Sequence, residues 1–249
     1  MVTSRENPSA PILEICVDDV AGLNAAIAGG ADRIELCSAL GSGGLTPSRG
    51  FMTVAAQAPI PVHALIRPRA GGFTYADTEV SVMEADIASA RDAGLAGVVI
   101  GATTAGHALD IDVIHRLIDA AHGLDLTLHR AIDVVEDMDA ALDLAIQLGF
   151  SRVLTSGGAR HAEEGLDVIA RLVKRSAGRI SIMPGGGVRP ENVSRFLGIP
   201  GVAELHASCS RAEVGAERLV ELGFAAELIR CTDAEIIRQL KAEITASIG

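Results

Sequence analysis

The 249-residue sequence has no tryptophan, one tyrosine and five phenylalanines. A core large enough for a domain of this length must therefore be built from Ala, Val, Ile and Leu. Lysine is almost as scarce, since only Lys174 and Lys241 occur and both fall in helical patterns. A Schiff-base aldolase needs a lysine at a catalytic strand end, so that mechanism is disfavoured. Clustered basic residues interleaved with aromatics are also missing, and the net charge is −11. Neither a nucleic-acid partner nor an anionic membrane surface suits such a chain. No uninterrupted apolar run reaches membrane-spanning length. The segment Met1–Ala10 lacks the apolar stretch of a signal peptide, which leads to a cytoplasmic expectation. The four cysteines form neither a disulfide framework nor a CxxC signature.

What the chain does have is alternation. Short apolar runs at Ile12–Cys16, Arg33–Cys37, Val62–Ile66, Gly97–Gly101, Leu124–His129, Arg152–Ser156, Ile180–Met183 and Ala203–Ser208 are mostly separated by one helical pattern. Eight such units predict a single (β/α)8 TIM barrel over residues 11–249 behind a flexible segment 1–10; a doubly wound open sheet is the alternative. A repeat supports closure. Leu23-x-x-Ala26-x-x-x-Gly30-x-x-Arg33-Ile34 matches Leu142-x-x-Ala145-x-x-x-Gly149-x-x-Arg152-Val153, with weaker copies at Gly94 and Gly201. In each, a glycine ends a helix and a strand follows. The stretch Cys209–Cys231 interrupts this rhythm and predicts a short helix around Ala216–Leu222.

Side chains alternate across a strand, so parity assigns faces. The aliphatic faces must meet the helices. The opposite faces carry Glu14, Cys16, Glu35, Cys37, His129, His206 and Ser208, which then point into the barrel. Buried carboxylates and imidazoles must be paired, hydrogen-bonded or bound to a ligand. A structural network in which Glu14 or Glu35 pairs with an arginine remains open beside a functional one. Cys16 and Cys37 each close a Glu-x-Cys on adjacent strands, about 4.8 Å apart. At matching height they would suit Cu(I) or form a disulfide; as separate side chains they would simply be buried. Arg67 and Arg69 flank a proline after the third strand and predict a loop on the functional rim, there to bind an anion or to neutralise Glu14 and Glu35. His129 and Asp133 read as an acid/base or ligand pair, or Asp133 as a helix cap. Gly185, Gly186 and Gly187 form a candidate anion cradle.

Together Leu13-Glu14-Ile15-Cys16, Gly30-Ala31-Asp32-Arg33-Ile34-Glu35-Leu36-Cys37, Gly43-Gly44-Leu45-Thr46-Pro47-Ser48, Ile66-Arg67-Pro68-Arg69, His129-Arg130-Ala131, Val153-Leu154-Thr155-Ser156-Gly157 and Glu204-Leu205-His206 resemble the CutC family. The resemblance runs from about Pro11 to Ser208. It implies a cytoplasmic TIM-barrel protein of copper homeostasis, with Cu(I) held at Cys16 and Cys37. Two positions depart from the family pattern: Gly72 stands where an aspartate is usual and Ile132 where a phenylalanine is usual. A second expectation comes from the polar groups themselves. Glu14, Glu35, Arg67, His129, Asp133 and His206 would hold a divalent metal or run proton transfer on a small polar, sugar-like substrate in a lyase, hydratase or isomerase. A non-catalytic scaffold is the third. The expected partner is a metal ion or a small polar ligand, and homo-oligomer formation stays open.

Overall fold

A computed structural model describes residues 10–247, so nearly all of the expected flexible segment 1–10 lies outside the described residues. Eight strands run parallel: β1 (Ile12–Val17), β2 (Arg33–Leu36), β3 (Val62–Leu65), β4 (Gly97–Ile100), β5 (Asp125–Leu128), β6 (Arg152–Thr155), β7 (Ser181–Pro184) and β8 (Glu204–Ala207). They pair in the order β8-β1-β2-β3-β4-β5-β6-β7. Between them lie the helices α1 (Val20–Gly29), α2 (Arg49–Ala55), α3 (Asp77–Ala93), α4 (Ile111–Ala120), α5 (Met138–Gln147), α6 (Leu166–Ser176) and α7 (Val193–Leu197). This is the (β/α)8 barrel, not the open sheet. The seam between β7 and β8 has no regular ladder, and Gly185 sits there. A Cβ on it would stand 3.1 Å from the His206 Cβ and 2.4 Å from Leu154 Cδ1, so only glycine lets the end of β7 pass β8.

Three of the four repeat glycines do what the pattern required, whereas Gly201, at φ +101°, lies in a turn beyond the end of α7. Gly30 caps α1 at φ +89°, and Gly94 and Gly149 take φ +83° and +79° after α3 and α5. A left-handed residue stops the helix and turns the chain into the next strand.

Two separate apolar clusters show how the strand faces divide. Leu13, Ile15, Ile34, Leu36, Val98, Leu128, Val153 and Leu205 belong to the main core. Inside the barrel a small second cluster joins Cys16, Cys37, Leu65 and Val99. The phase read from parity therefore holds.

The segment after β8 is more than a short helix. It forms an antiparallel pair, β9 (Ser210–Val214) with β10 (Leu228–Thr232), around α8 (Glu217–Glu221). Both strands are largely exposed, so their side chains lack the in-out alternation that marks a strand in sequence. The chain then enters α9 (Ala234–Ala246), which packs on α1. At that contact a Cβ on Gly29 would lie 2.6 Å from the Ile237 Cβ. Gly29→Val should therefore destabilise by about 1–3 kcal/mol through overpacking, read as a lower urea midpoint. An unchanged midpoint would mean that the α1–α9 contact yields freely.

Candidate metal centre and cavity

The barrel floor is an ionic network that starts from the repeat. Arg33 and Arg152 open β2 and β6 at equivalent repeat positions, and both reach Glu204 Oε2, at 2.5 and 3.0 Å. Arg33 Nε also donates to Glu14 Oε2 at 2.5 Å. Arg152 continues to Asp125 at 2.7 Å and donates to Thr127 Oγ1 at 3.0 Å. Glu14 is fully buried, and burial alone would raise its pKa. The hydrogen bond from His206 and the Arg33 charge instead hold it well below the usual carboxylate range. The structural reading of Glu14 as an arginine partner is thus realised, but with Arg33. Arg67 and Arg69 do not neutralise Glu14 or Glu35. Arg69 pairs with Glu79 at 2.5 Å, and Arg67 donates to the carbonyls of Ser42, Gly44 and Gly71.

Directly above Glu14, at the C-terminal ends of the strands, three donors converge. Cys16, Glu35 and His206 each offer a ligand atom, all within 4.8 Å of one another, and all three residues are buried. The register explains the meeting: Cys16 is the Cα partner of Glu35, and Glu14 is the partner of His206 on the other side. The His206 ring is fixed from below, its Nδ1 donating to Glu14 Oε1 at 2.8 Å, while Nε2 lies 3.7 Å from Glu35 Oε2. A histidine whose one nitrogen is anchored on a carboxylate presents the other to a ligand; metal sites use this arrangement to fix tautomer and orientation. Burial opposes charge on His206, but Cys16, Glu14 and Glu35 around the ring hold its pKa well above the ordinary value. Burial raises Glu35, against the pull of the His206 charge.

The expected match in height between Cys16 and Cys37 is not found. Because Cys16 pairs with Glu35, Cys37 stands two residues further on, just past the end of β2, a diagonal neighbour rather than an opposite one. Strand stagger in a closed barrel produces this offset. Cys37 Sγ turns to Glu35 Oε2 at 3.5 Å and donates to it. Burial first, and then the Glu35 charge, push the Cys37 thiol well up. All four cysteines are free, so no disulfide joins the pair.

The remaining expected residues divide. Arg67 and His129 line the opposite wall of the same cavity, beside Phe73. Asp133 does not join them. It sits on a 3-10 turn, Arg130–Val134, and its carboxylate accepts from Thr155 Oγ1, the Ser156 and Gly158 amides and Arg130 Nε. It ties down the loop after β6 instead of pairing with His129. Gly185 is also spent: its amide donates to the Thr155 carbonyl. Gly186 and Gly187 do line the cavity. The reading of separate residues missed Arg33, His63, Arg152 and Glu204, although Arg33 and Arg152 stood inside the repeat and share parity with the residues above them. The cavity measures 960 Å³, and the β9–β10 pair supplies part of its wall through Ser210, Leu228 and Arg230.

A match to the CutC family model covers residues 11–211, from the first strand into β9. The chain belongs to the CutC family. A CutC family protein of Rhizobium meliloti is 54% identical over 235 residues, covering 94% of this chain and 96% of the relative. One from Agrobacterium fabrum is 52% identical over 237 residues and covers 94% of each. Among solved structures, a Streptococcus agalactiae protein assigned to copper homeostasis as CutC superposes with a TM-score of 0.76 at 34% identity, over 80% of this chain and 98% of that one. Thiamine phosphate pyrophosphorylase from Pyrococcus furiosus, 13% identical with a TM-score of 0.59, covers 96% of this chain and 97% of its own and shares the fold alone. Among the described residues of this CutC family member, no helix is long and apolar enough to cross a membrane.

Proposed function

We propose that this CutC family member binds one Cu(I) ion at the top of β1, β2 and β8, with Cys16 and His206 as the ligands and Glu35 beside them. The observation that carries this reading is the convergence of Cys16, Glu35 and His206 within 4.8 Å, with the His206 ring anchored on Glu14. A sulfur and an imidazole nitrogen are a soft and a borderline donor, which suits Cu(I) better than a hard cation. Zn²⁺ is the divalent competitor for such a set. Cys37 is the neighbour that donates to Glu35, and its raised thiol makes it the poorer ligand of the two cysteines. Four free cysteines fit a reducing, cytoplasmic setting. The copper-homeostasis assignment of the streptococcal neighbour supports the same choice of ion.

The test is competition titration with a Cu(I) chelator under reducing conditions, with Zn²⁺ run alongside. Wild type should take up one equivalent of Cu(I) and prefer it to Zn²⁺. Cys16→Ser should weaken uptake at least 100-fold, a metal–sulfur bond having been lost, whereas Cys37→Ser should stay within about tenfold of wild type. Equal damage from the two single variants would restore a two-thiolate site, and full binding by Cys16→Ser would exclude the site altogether.

One observation favours a second reading, an enzyme acting on a small polar substrate. The cavity of 960 Å³ is far larger than an ion requires, and its wall away from Cys16 carries Arg67 and His129. Mass spectrometry of small molecules co-purified with the protein separates this from an ion site alone.

A further inference from the structure

The wall of the cavity opposite Cys16 contains positive charge and donors that the protein leaves unanswered. Arg67 is 7% exposed, and among the described residues no carboxylate pairs with it. Its two terminal nitrogens are taken by carbonyl groups, its Nε has no partner, and its guanidinium lies 5.2 Å from the centre of the Phe73 ring. An unpaired buried guanidinium is costly and calls for an anion. His129, 4% exposed, adds a second unanswered donor. Its Nδ1 accepts from the Ala131 amide at 3.1 Å, so the neutral ring carries its proton on Nε2, which has no acceptor. A buried donor left in this way loses the hydrogen bond that water would have given it.

The adjoining rim has the same character. Arg130 uses Nε on Asp133 and Nη2 on Ser156, which leaves Nη1 directed at Gly186, 3.3 Å from where a Cβ would stand. His161 Nδ1 lies 3.2 Å from the corresponding point on Gly187. Gly186 and Gly187 take φ +102° and +89°, and among the described residues their amides donate to no protein acceptor. Consecutive free amides in such a turn, flanked by a guanidinium, fit an oxyanion with several acceptor oxygens. In a chain of net charge −11, the cavity thus gathers one guanidinium with no carboxylate against it, Arg67, a second, Arg130, whose Nη1 stays free beside its Asp133 pair, and the free Gly186 and Gly187 amides.

We propose that the cavity binds a phosphorylated small molecule, its phosphate held by Arg130, His161 and the Gly186–Gly187 amides on the rim and its body extending past Arg67 and His129 toward Glu35. All of these residues line the one cavity. The phosphate site is separate from the cysteine cluster and does not depend on the copper reading.

The experiment titrates the full chain with inorganic phosphate, followed by amide shifts in 15N NMR and by calorimetry, with chloride at equal ionic strength as the control. Saturable binding should shift the Gly186 and Gly187 amides. Arg130→Gln should weaken it tenfold or more, and His161→Ala, an exposed position that leaves the fold alone, should weaken it severalfold. Cys16→Ser should bind phosphate like wild type, so failure of the copper site and failure of this one are told apart. No saturable shift at those glycines, an equal response to chloride, or phosphate binding untouched by both Arg130→Gln and His161→Ala would overturn the proposal. Should Arg130→Gln fail to fold, the wild-type shifts and His161→Ala decide it.

Discussion

Arg33→Ala is expected to destabilise the protein by about 3–5 kcal/mol, the range seen when one partner of a buried ion pair is removed. The guanidinium answers two buried carboxylates, Glu14 and Glu204, each at 2.5 Å. Glu204 keeps Arg152 at 3.0 Å, but Glu14 would keep only His206. The loss should therefore fall mainly on Glu14, and Arg33→Ala combined with Glu14→Gln should be less destabilised than the two single effects added together. A double-mutant cycle by urea unfolding measures this coupling. The same variant links the floor to the site above it, because Glu14 would then be held in place by the His206 ring alone. A cost below about 1 kcal/mol would mean that water reaches the barrel floor and screens the pair.

The second large effect is loss of stability in mild acid. Burial keeps His63 neutral down to about 4 and His129 down to about 3, the Arg67 charge adding to the effect on His129. An unfolded histidine takes up its proton near pH 6.5. Between that pH and the folded values the unfolded chain binds more protons, so stability present above pH 6.5 is lost as pH falls toward 4 and then 3. His63 alone accounts for a change on the order of 3 kcal/mol. Glu14, whose folded pKa is lowered, adds its own loss below the ordinary carboxylate range. Glu35 runs the other way, because its raised folded pKa lets the native state gain a proton first. His206 contributes on the alkaline side: its raised pKa gives stability that is present below pH 6.5 and lost as pH rises through the folded value. Urea midpoints measured from pH 8 to 4 should fall across the acid limb, and His63→Gln should flatten part of that fall. A flat wild-type profile between pH 6.5 and 4.5 would contradict neutral burial of these rings.

Particular residues show how far the linear chain can be read. Glycines 30, 94 and 149 marked helix ends because a left-handed turn has few substitutes, and the eight aliphatic runs marked strands because each must cover one helix layer. Parity then placed Glu14, Cys16, Glu35, Cys37 and His206 inside. It did not reveal which of them meet. Cys16 and Cys37 look equivalent in sequence, yet one stands in the donor cluster and the other hydrogen-bonds to Glu35 from a step higher. Asp133 follows His129 closely in sequence but turns to Ser156. The β9–β10 pair left almost no trace, since a ribbon exposed on both faces needs no alternation.

The periodicity of the chain, with its missing aromatics and scarce lysine, determined a closed aliphatic barrel and the set of polar side chains turned into it, because burial on two faces dictates residue type position by position. Which of those side chains pair was decided only by the fold. Strand stagger sets Cys16 beside Glu35, and the return of β8 to β1 sets His206 over Glu14. Both are contacts between residues far apart in sequence, whose relative height along the barrel axis no local pattern encodes.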